Sequence, residues 1–515
     1  MYRQSIDEVK MLSLFIACAP LDQNQNLSVD NFPQYQENIE DATKQEAVDE
    51  IVKEDENVDV DELGYDGLDP FREEASQAQG LTNTDFSLEK VLEYGALEDA
   101  CELYAQFPDD QSLKLRCGKA MFFYESFDGI GIPQPLFDFV STKFPDDVGI
   151  AFEEYGMIPD PYSEARRPIG YGKGAPMGSV ETVAYSCASC HFGQLPDGRY
   201  SVGKANYEYE AGKQFLALML LPSAIMPGFN DAEHDPDAIA IIDPMRQIIQ
   251  NDWVMFMELG WNLLPLLWES DMSAAQVSLE VEQAYASWRS GTMDVFIPPL
   301  PIDDGVHIVS KIPTIWDIPT SEEQEEYEMD GAMLAWNGTS QSLEHFVSGF
   351  IALSGSDSWD IEDVEPLIAY LETLQAPKTI EQLDPEAVGR GRAIFFDSCI
   401  GCHQGFRGSS IESFSFEDIG TDDQMRYIMD PELDGQVING LDAEVSHGIK
   451  APRLSGVWSK TRLLHNGSVD SLEELFCLEA ERNDDTPIFG NQGHEYGCEL
   501  SVDEREDIIS FLKSI

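Results

Sequence analysis

Basic side chains are scarce in this chain: 31 Lys and Arg stand against 96 Asp and Glu, a net charge of −65 over 515 residues. Such a field repels phosphate backbones and anionic lipid headgroups, which argues against nucleic acid or a bare membrane surface as a partner. The acid is spread along the whole chain, so a solvated acidic surface explains it better than a docking patch for a basic donor. Long apolar runs are missing as well. The stretch Met11–Ala17 in "KMLSLFIACAP" is too short to span a bilayer. "FLALMLLPSAIMPGF" (215–229) is interrupted by Pro222, Pro227 and Gly228, and is expected as a core segment or a cofactor wall. Strand signals are sparse, and the expected class is mainly α. Histidine is rare, eight in all, and no methionine follows Met429.

Cysteine is present where it matters. "YSCASCHFG" carries Cys187, Cys190 and His191, and "DSCIGCHQG" repeats the pattern at Cys399, Cys402 and His403. Two thiols three residues apart reach the two vinyl groups of one haem, and the next residue offers an imidazole to the iron. A zinc ribbon has no use for a histidine after each pair. A thioredoxin-type redox pair needs a strand before it and a helix after it, and no histidine. Two covalently attached c-type haems are therefore expected, with His191 and His403 as metal ligands. Cys101 and Cys117, and Cys477 and Cys498, are each close enough in sequence to close a local disulfide. The alternative is four buried thiols. Cys18 ends the apolar run and resembles a lipoprotein attachment site, although Asp7 and Glu8 spoil the basic start such signals carry. Haem attachment and oxidised cysteines both point to the periplasm or cell surface, with a lipid at Cys18 as the one membrane link.

Four segments follow from composition: residues 1–18 as an export or lipoprotein-like signal, 19–80 as an acidic disordered linker, 81–375 as a first haem domain with long irregular insertions, and 376–515 as a second, cytochrome c-like one. Each haem stretch closes with an amphipathic helix, "DIEDVEPLIAYLETLQ" (360–375) and "SVDEREDIISFLKSI" (501–515). "DPEAVGRGRAIFFDSC" reads as the helix leading into the second motif.

The far face of each iron decides between electron transfer and chemistry. His465 and His494 are alternative sixth ligands in the second domain, with Met425 and Met429 as weaker ones. His234 reads as solvated; His307 and His345 read as core residues. The stretch after His191, "FGQLPDGRYSVGKANYEYEAGKQF", has neither His nor Met, and leaves Tyr200, Asn206, Tyr207 and Tyr209 as neighbours of the first site.

Over residues 160 to 515 the chain resembles the bacterial di-haem cytochrome c peroxidase superfamily, most of all its rubber-oxygenase-like branch. The carriers are "RPIGYGKG", "VETVAYSCASCHFGQLPDGRYSVGKAN", "WRSGTMD", "KIPTIWDIP", "MLAWNGTSQSLEHFVSGF", "LDPEAVGRGRAIFFDSCIGCH", "KAPRLSGVWSKTRLLHNGSVDSLEELF" and "GNQGHEYGCELSVDEREDIISFLKSI". The resemblance implies a reactive first haem and an electron-transferring second haem with His494 as its sixth ligand, His465 becoming a pocket residue. It also implies aromatic residues beside the haems, with Trp316 and Trp336 in matching segments, and a calcium ion between the domains. The peroxidases' distal His and Met are not found here, which puts orthodox peroxide reduction in doubt. The expected function is a di-haem oxidoreductase. Peroxide, dioxygen or an organic substrate would meet haem 1, and a small redox protein or quinone-linked donor would feed haem 2. The alternative is a pure electron carrier.

Overall fold

In a computed structural model, residues 68–71, 87–163, 167–225, 234–269, 279–294, 309–336, 338, 340, 342–356, 358–427, 436–438, 441–443, 448–479, 481–486 and 488–515 are described. Cys18, His307, Met429 and His447 lie outside them, as does almost all of the expected acidic linker. The described chain is mainly helical, as the sparse strand signals imply. Its largest sheet has three short antiparallel strands, with Val180–Tyr185 between Ile132–Pro133 and Tyr171–Met177.

Three apolar cores organise the molecule. One gathers the helix Gln134–Lys143, the sheet, and the helices Pro236–Asn251 and Leu279–Ser287. At its centre run residues 215–225 of the apolar segment noted above, whose last four residues lie outside the described ones. Ala211–Phe215, Leu216–Leu220 and Leu221–Ile225 follow one another as a single buried rod, the middle part wound as a π-helix. Pro222 has no N–H to donate to the carbonyl four residues back, and a wide turn just ahead of it absorbs the loss.

The second core holds the helix Gln111–Tyr124, capped by the Asp110 carboxylate, and the closing helix Glu365–Leu371. They cross at Gly118, where an added Cβ would lie 1.9 Å from the Pro366 carbonyl oxygen. The third core repeats the device. The helix Pro385–Ser398, with Asp384 as cap and proline in its first turn, crosses Val502–Ser514, which opens with a Ser501/Glu504 capping box. The contact point is Gly391, whose added Cβ would lie 2.0 Å from the Asp507 oxygen. Phe395 and Phe511 seal this crossing, and Phe71 joins them edge-on at 5.2 and 5.4 Å. A buried phenylalanine contributes about 2 kcal/mol. Residues 68–71 fall inside the stretch expected as linker, yet they are docked: Asp69 pairs with Arg392, and the Pro70 carbonyl accepts from the Arg407 N–H. Phe71 explains the difference, one aromatic side chain in an acidic run with a core to fill.

The disulfides Cys101–Cys117 and Cys477–Cys498 are both formed. Among the described residues no helix is long and apolar enough to cross a membrane.

Candidate functional site

The first motif stands where two cores meet. Cys187 packs against the core of Gln111–Tyr124, and Cys190 against that of the sheet and the π-helical rod. The strand Val180–Tyr185 delivers it, and a single turn, Ala188–His191, carries the histidine. The Ser186 hydroxyl donates to the Phe123 carbonyl at 2.8 Å, which ties the motif to the end of Gln111–Tyr124. The His191 imidazole sets Nδ1 3.0 Å from the Pro313 carbonyl oxygen. That contact makes Nδ1 the donor and leaves Nε2 with a free lone pair, the form a metal ligand needs. Burial pushes the His191 pKa down to about 4, so the ring is neutral at ordinary pH.

The second motif follows the helix Pro385–Ser398 without a break, and Cys399 packs against the third core. His403 repeats the tether: Nδ1 lies 2.5 Å from the Gly408 carbonyl oxygen, five residues on. Burial again lowers its pKa. Facing it is His494, with ring centres 6.3 Å apart and planes at 78°. Two imidazoles on one metal ion, each bonded at about 2.0 Å with about 1.1 Å from ring nitrogen to ring centre, stand about 6.2 Å apart. His494 is held there by its backbone. Its N–H donates to Ile419 at 2.8 Å, its carbonyl accepts from Arg482 at 2.7 Å, and its φ is +48°, in the left-handed region that ordinary residues avoid. Its Nδ1 is buried without a partner, and burial lowers its pKa to about 4. A neutral ring with an orphaned nitrogen, in strained backbone opposite a tethered histidine, fits a ligand on a shared metal.

His465, the alternative, sits elsewhere. Its Nε2 is 3.9 Å from an Asp422 carboxylate oxygen, and its carbonyl accepts from the Lys311 N–H at 2.8 Å. Met425 is buried with Phe416 and Ile449. His345 is exposed on the helix Leu343–Leu353 rather than in the core, because its face of that helix carries Glu344 and Phe346 outward. His234 is not solvated: its Nδ1 meets the buried Glu282 carboxylate at 2.8 Å.

The thiols discriminate between chemistries. A strand does precede the first motif, as a redox dithiol requires, but the helix after it is one turn long. Burial pushes Cys187 up to about 12 and Cys190 to about 11; Cys399 rises to about 12 and Cys402 rises also. A redox cysteine needs the opposite shift. Among the described residues no group of three or more His, Cys, Asp or Glu is gathered for a metal ion, so the calcium expectation meets no side-chain cluster there.

Around the first motif, Asn206 N–H donates to the Cys190 carbonyl at 2.8 Å, and Tyr200 stacks on Phe192. Tyr209 shares a buried network with Tyr185 and Tyr171 about the side-chain Oε1 of Gln214. Tyr207 lies with its ring 4.0 Å from the Lys204 ammonium. Trp316 is 1% exposed and donates to the Val202 carbonyl at 2.7 Å. It is wedged between Gly203 and Gly456, where an added Cβ would meet its ring at 2.5 and 2.7 Å. Trp336 lies with its ring 5.7 Å from the Lys311 ammonium. Two features were missed in the sequence. Met293 in "WRSGTMD" brings its sulfur to 3.9 Å from Cys190 Sγ. A set of cations, the buried Lys204, Lys311 and Lys460 with the half-buried Lys450 and Arg453, lies between the motifs. All sit in segments that carried the resemblance, but a lone lysine in an irregular stretch gives no periodic signal of burial.

No family model matches the chain, and no curated protein does. Among solved structures, hydrazine synthase of Kuenenia stuttgartiensis, pressurised with 20 bar xenon, is similar at 18% identity over 45% of this chain and 79% of that one, with a TM-score of 0.27. That likeness is too loose to carry an argument about fold or function.

Proposed function

We propose that the chain is an exported di-haem c-type oxidoreductase akin to the di-haem peroxidase superfamily. Cys187, Cys190 and His191 would hold one haem, and Cys399, Cys402 and His403 the other, with His494 as a further ligand for the latter. Bound there, the haems supply one-electron chemistry and a site for peroxide or dioxygen. The chain's own part is to hold both imidazoles neutral and oriented through the Pro313 and Gly408 carbonyls, and to close the far side of the second site with His494. The observation that carries the reading is His494 facing His403 at 6.3 Å, while no imidazole among the described residues stands so against His191. The second site is then the entry for electrons from a small redox protein or quinone-linked donor, and the first is where substrate binds.

A pure electron carrier is the second reading. The Met293 sulfur, 3.9 Å from Cys190 Sγ, bears on it, because a thioether near the first motif would offer a soft ligand. Low-temperature electron paramagnetic resonance of the isolated protein, with a mass that counts the haems, separates the two. One high-spin and one low-spin ferric signal is the expected result. Two low-spin signals that persist on partial reduction would replace the enzyme by the carrier.

A further inference from the structure

Three lysines are buried, with a half-buried lysine and arginine beside them, in a chain whose composition is overwhelmingly acidic. Lys204, Lys311 and Lys460 are 2%, 6% and 8% exposed, and Lys450 and Arg453 adjoin them. Among the described residues no carboxylate lies within ion-pair distance of any of the five. Buried charge without a partner is costly, and lysine is almost never fully buried unless paired.

The cluster has a hub. Lys204 Nζ donates to the Ser459 carbonyl at 2.8 Å, Lys311 Nζ to Arg462 at 3.3 Å, and Lys460 Nζ to Arg453 at 2.9 Å. Three ammonium groups thus converge on the segment 453–462, each using one of its three N–H donors. Arg453 is pinned through Nε to the Trp316 carbonyl at 3.0 Å. The hub also touches both motifs. Gly203, next to Lys204, donates to the His191 carbonyl at 2.8 Å, and Lys311 is two residues before Pro313, the His191 tether. On the other side, Ala451 and Leu454 bond residues 407–410, which include the Gly408 tether of His403.

We propose that Lys204, Lys311, Lys450, Arg453 and Lys460 form an anion-binding site between the motifs that takes the propionate carboxylates of both haems. The inference rests on the two-haem reading. Each haem brings two carboxylates, which would add to the counter-charge that Glu208 and Asp317 exert on Lys204 and Arg453 from beyond ion-pair distance. In the chain alone, burial drags Lys204 and Lys450 to about 7 and Lys311 to about 8. Facing carboxylates would hold them charged. The functional consequence is redox poise: fixed positive charge at the propionates favours the reduced iron, and one shared cluster ties the two potentials together.

The test uses the haem-loaded protein. Haem count by mass comes first, then spectroelectrochemical titration of K204Q, K460Q and K460R, with the exposed K213Q as control. K460Q is expected to lower the reduction equilibrium constant of both haems about tenfold, which is about 59 mV for one electron. K460R should keep the native values, and K213Q should not move them. Should K460Q not accumulate, infrared difference spectra of the unaltered protein, with 13C at the propionate carboxyls, carry the same test. Ion-paired carboxylate bands that shift on reduction support the site, and solvent-like propionates overturn it. Two bound haems with unmoved potentials in K204Q and K460Q also overturn the inference and leave the di-haem reading standing. A chain that carries no haem overturns both.

Discussion

Cys399 is reached from the last turn of a fourteen-residue helix, whereas Cys187 is reached from the end of a strand. His403 finds its tether five residues away, at Gly408; His191 finds its own 122 residues away, at Pro313. The second motif rests on one core, and a nearby loop brings His494 against it. The first rests on two cores and is walled by imported segments, with tyrosines, Lys204 and Met293 around it. The same sequence signature is thus built once from its own neighbourhood and once from the rest of the chain. The locally built site has an imidazole on each side, His403 and His494. The assembled site has surroundings set by segments far away in the sequence.

The largest break in this comparison comes from the cysteines. C187S/C190S should remove one haem of two and with it all high-spin signal, and C399S/C402S should remove the low-spin centre; intact-protein mass and absorption spectra read both. Next comes His494. H494A should turn the low-spin signal high-spin and make the second site resemble the first, with low-spin character restored by added imidazole. A spectrum unmoved by H494A would separate His494 from the metal.

The disulfides give a smaller, paired effect. Each closes a short loop, so C477S/C498S and C101S/C117S should each cost about 2–4 kcal/mol in thermal or denaturant unfolding. The first should also broaden the low-spin signal, because Cys498 anchors the loop that carries His494; the second should leave both spectra alone. The smallest effect is the pH dependence due to His465, whose pKa burial lowers to about 4. The unfolded chain takes up this proton near pH 6.5, and the folded one only near pH 4. Stability present above pH 6.5 is therefore lost as pH falls towards 4, and H465Q should flatten that part of a melting-temperature profile.

The legibility of the molecule divides along the same line. The motifs, the two cysteine pairs, the helix before Cys399 and the closing helix Val502–Ser514 are local patterns, fixed by spacing, caps and periodicity, and each could be read from a few residues. The resemblance singled out His494, whose ring faces His403 in the structure. What was not legible depends on distance in sequence. Neither Pro313 beneath His191 nor Met293 beside Cys190 carries a local mark. The Glu282 partner of His234 lies 48 residues off, so an acidic loop read as solvated when its histidine is packed. The buried lysines were hidden for the same reason, since hydrophilic residues are placed outside by any reading that sees only neighbours.

The 122-residue reach from His191 to Pro313, and the 255 residues between Lys204 and the Ser459 carbonyl, also set an order of events. Closing a long loop costs more entropy and more time than closing a short one. The tether of His403 can form as soon as its own turn is folded. The tether of His191 waits for more than a hundred further residues, and the bond from Lys204 waits until the C-terminal quarter of the chain has been made. The tether of the second motif is thus local, whereas the tether of the first, and the contact of His494 with His403, both wait for distant parts of the chain.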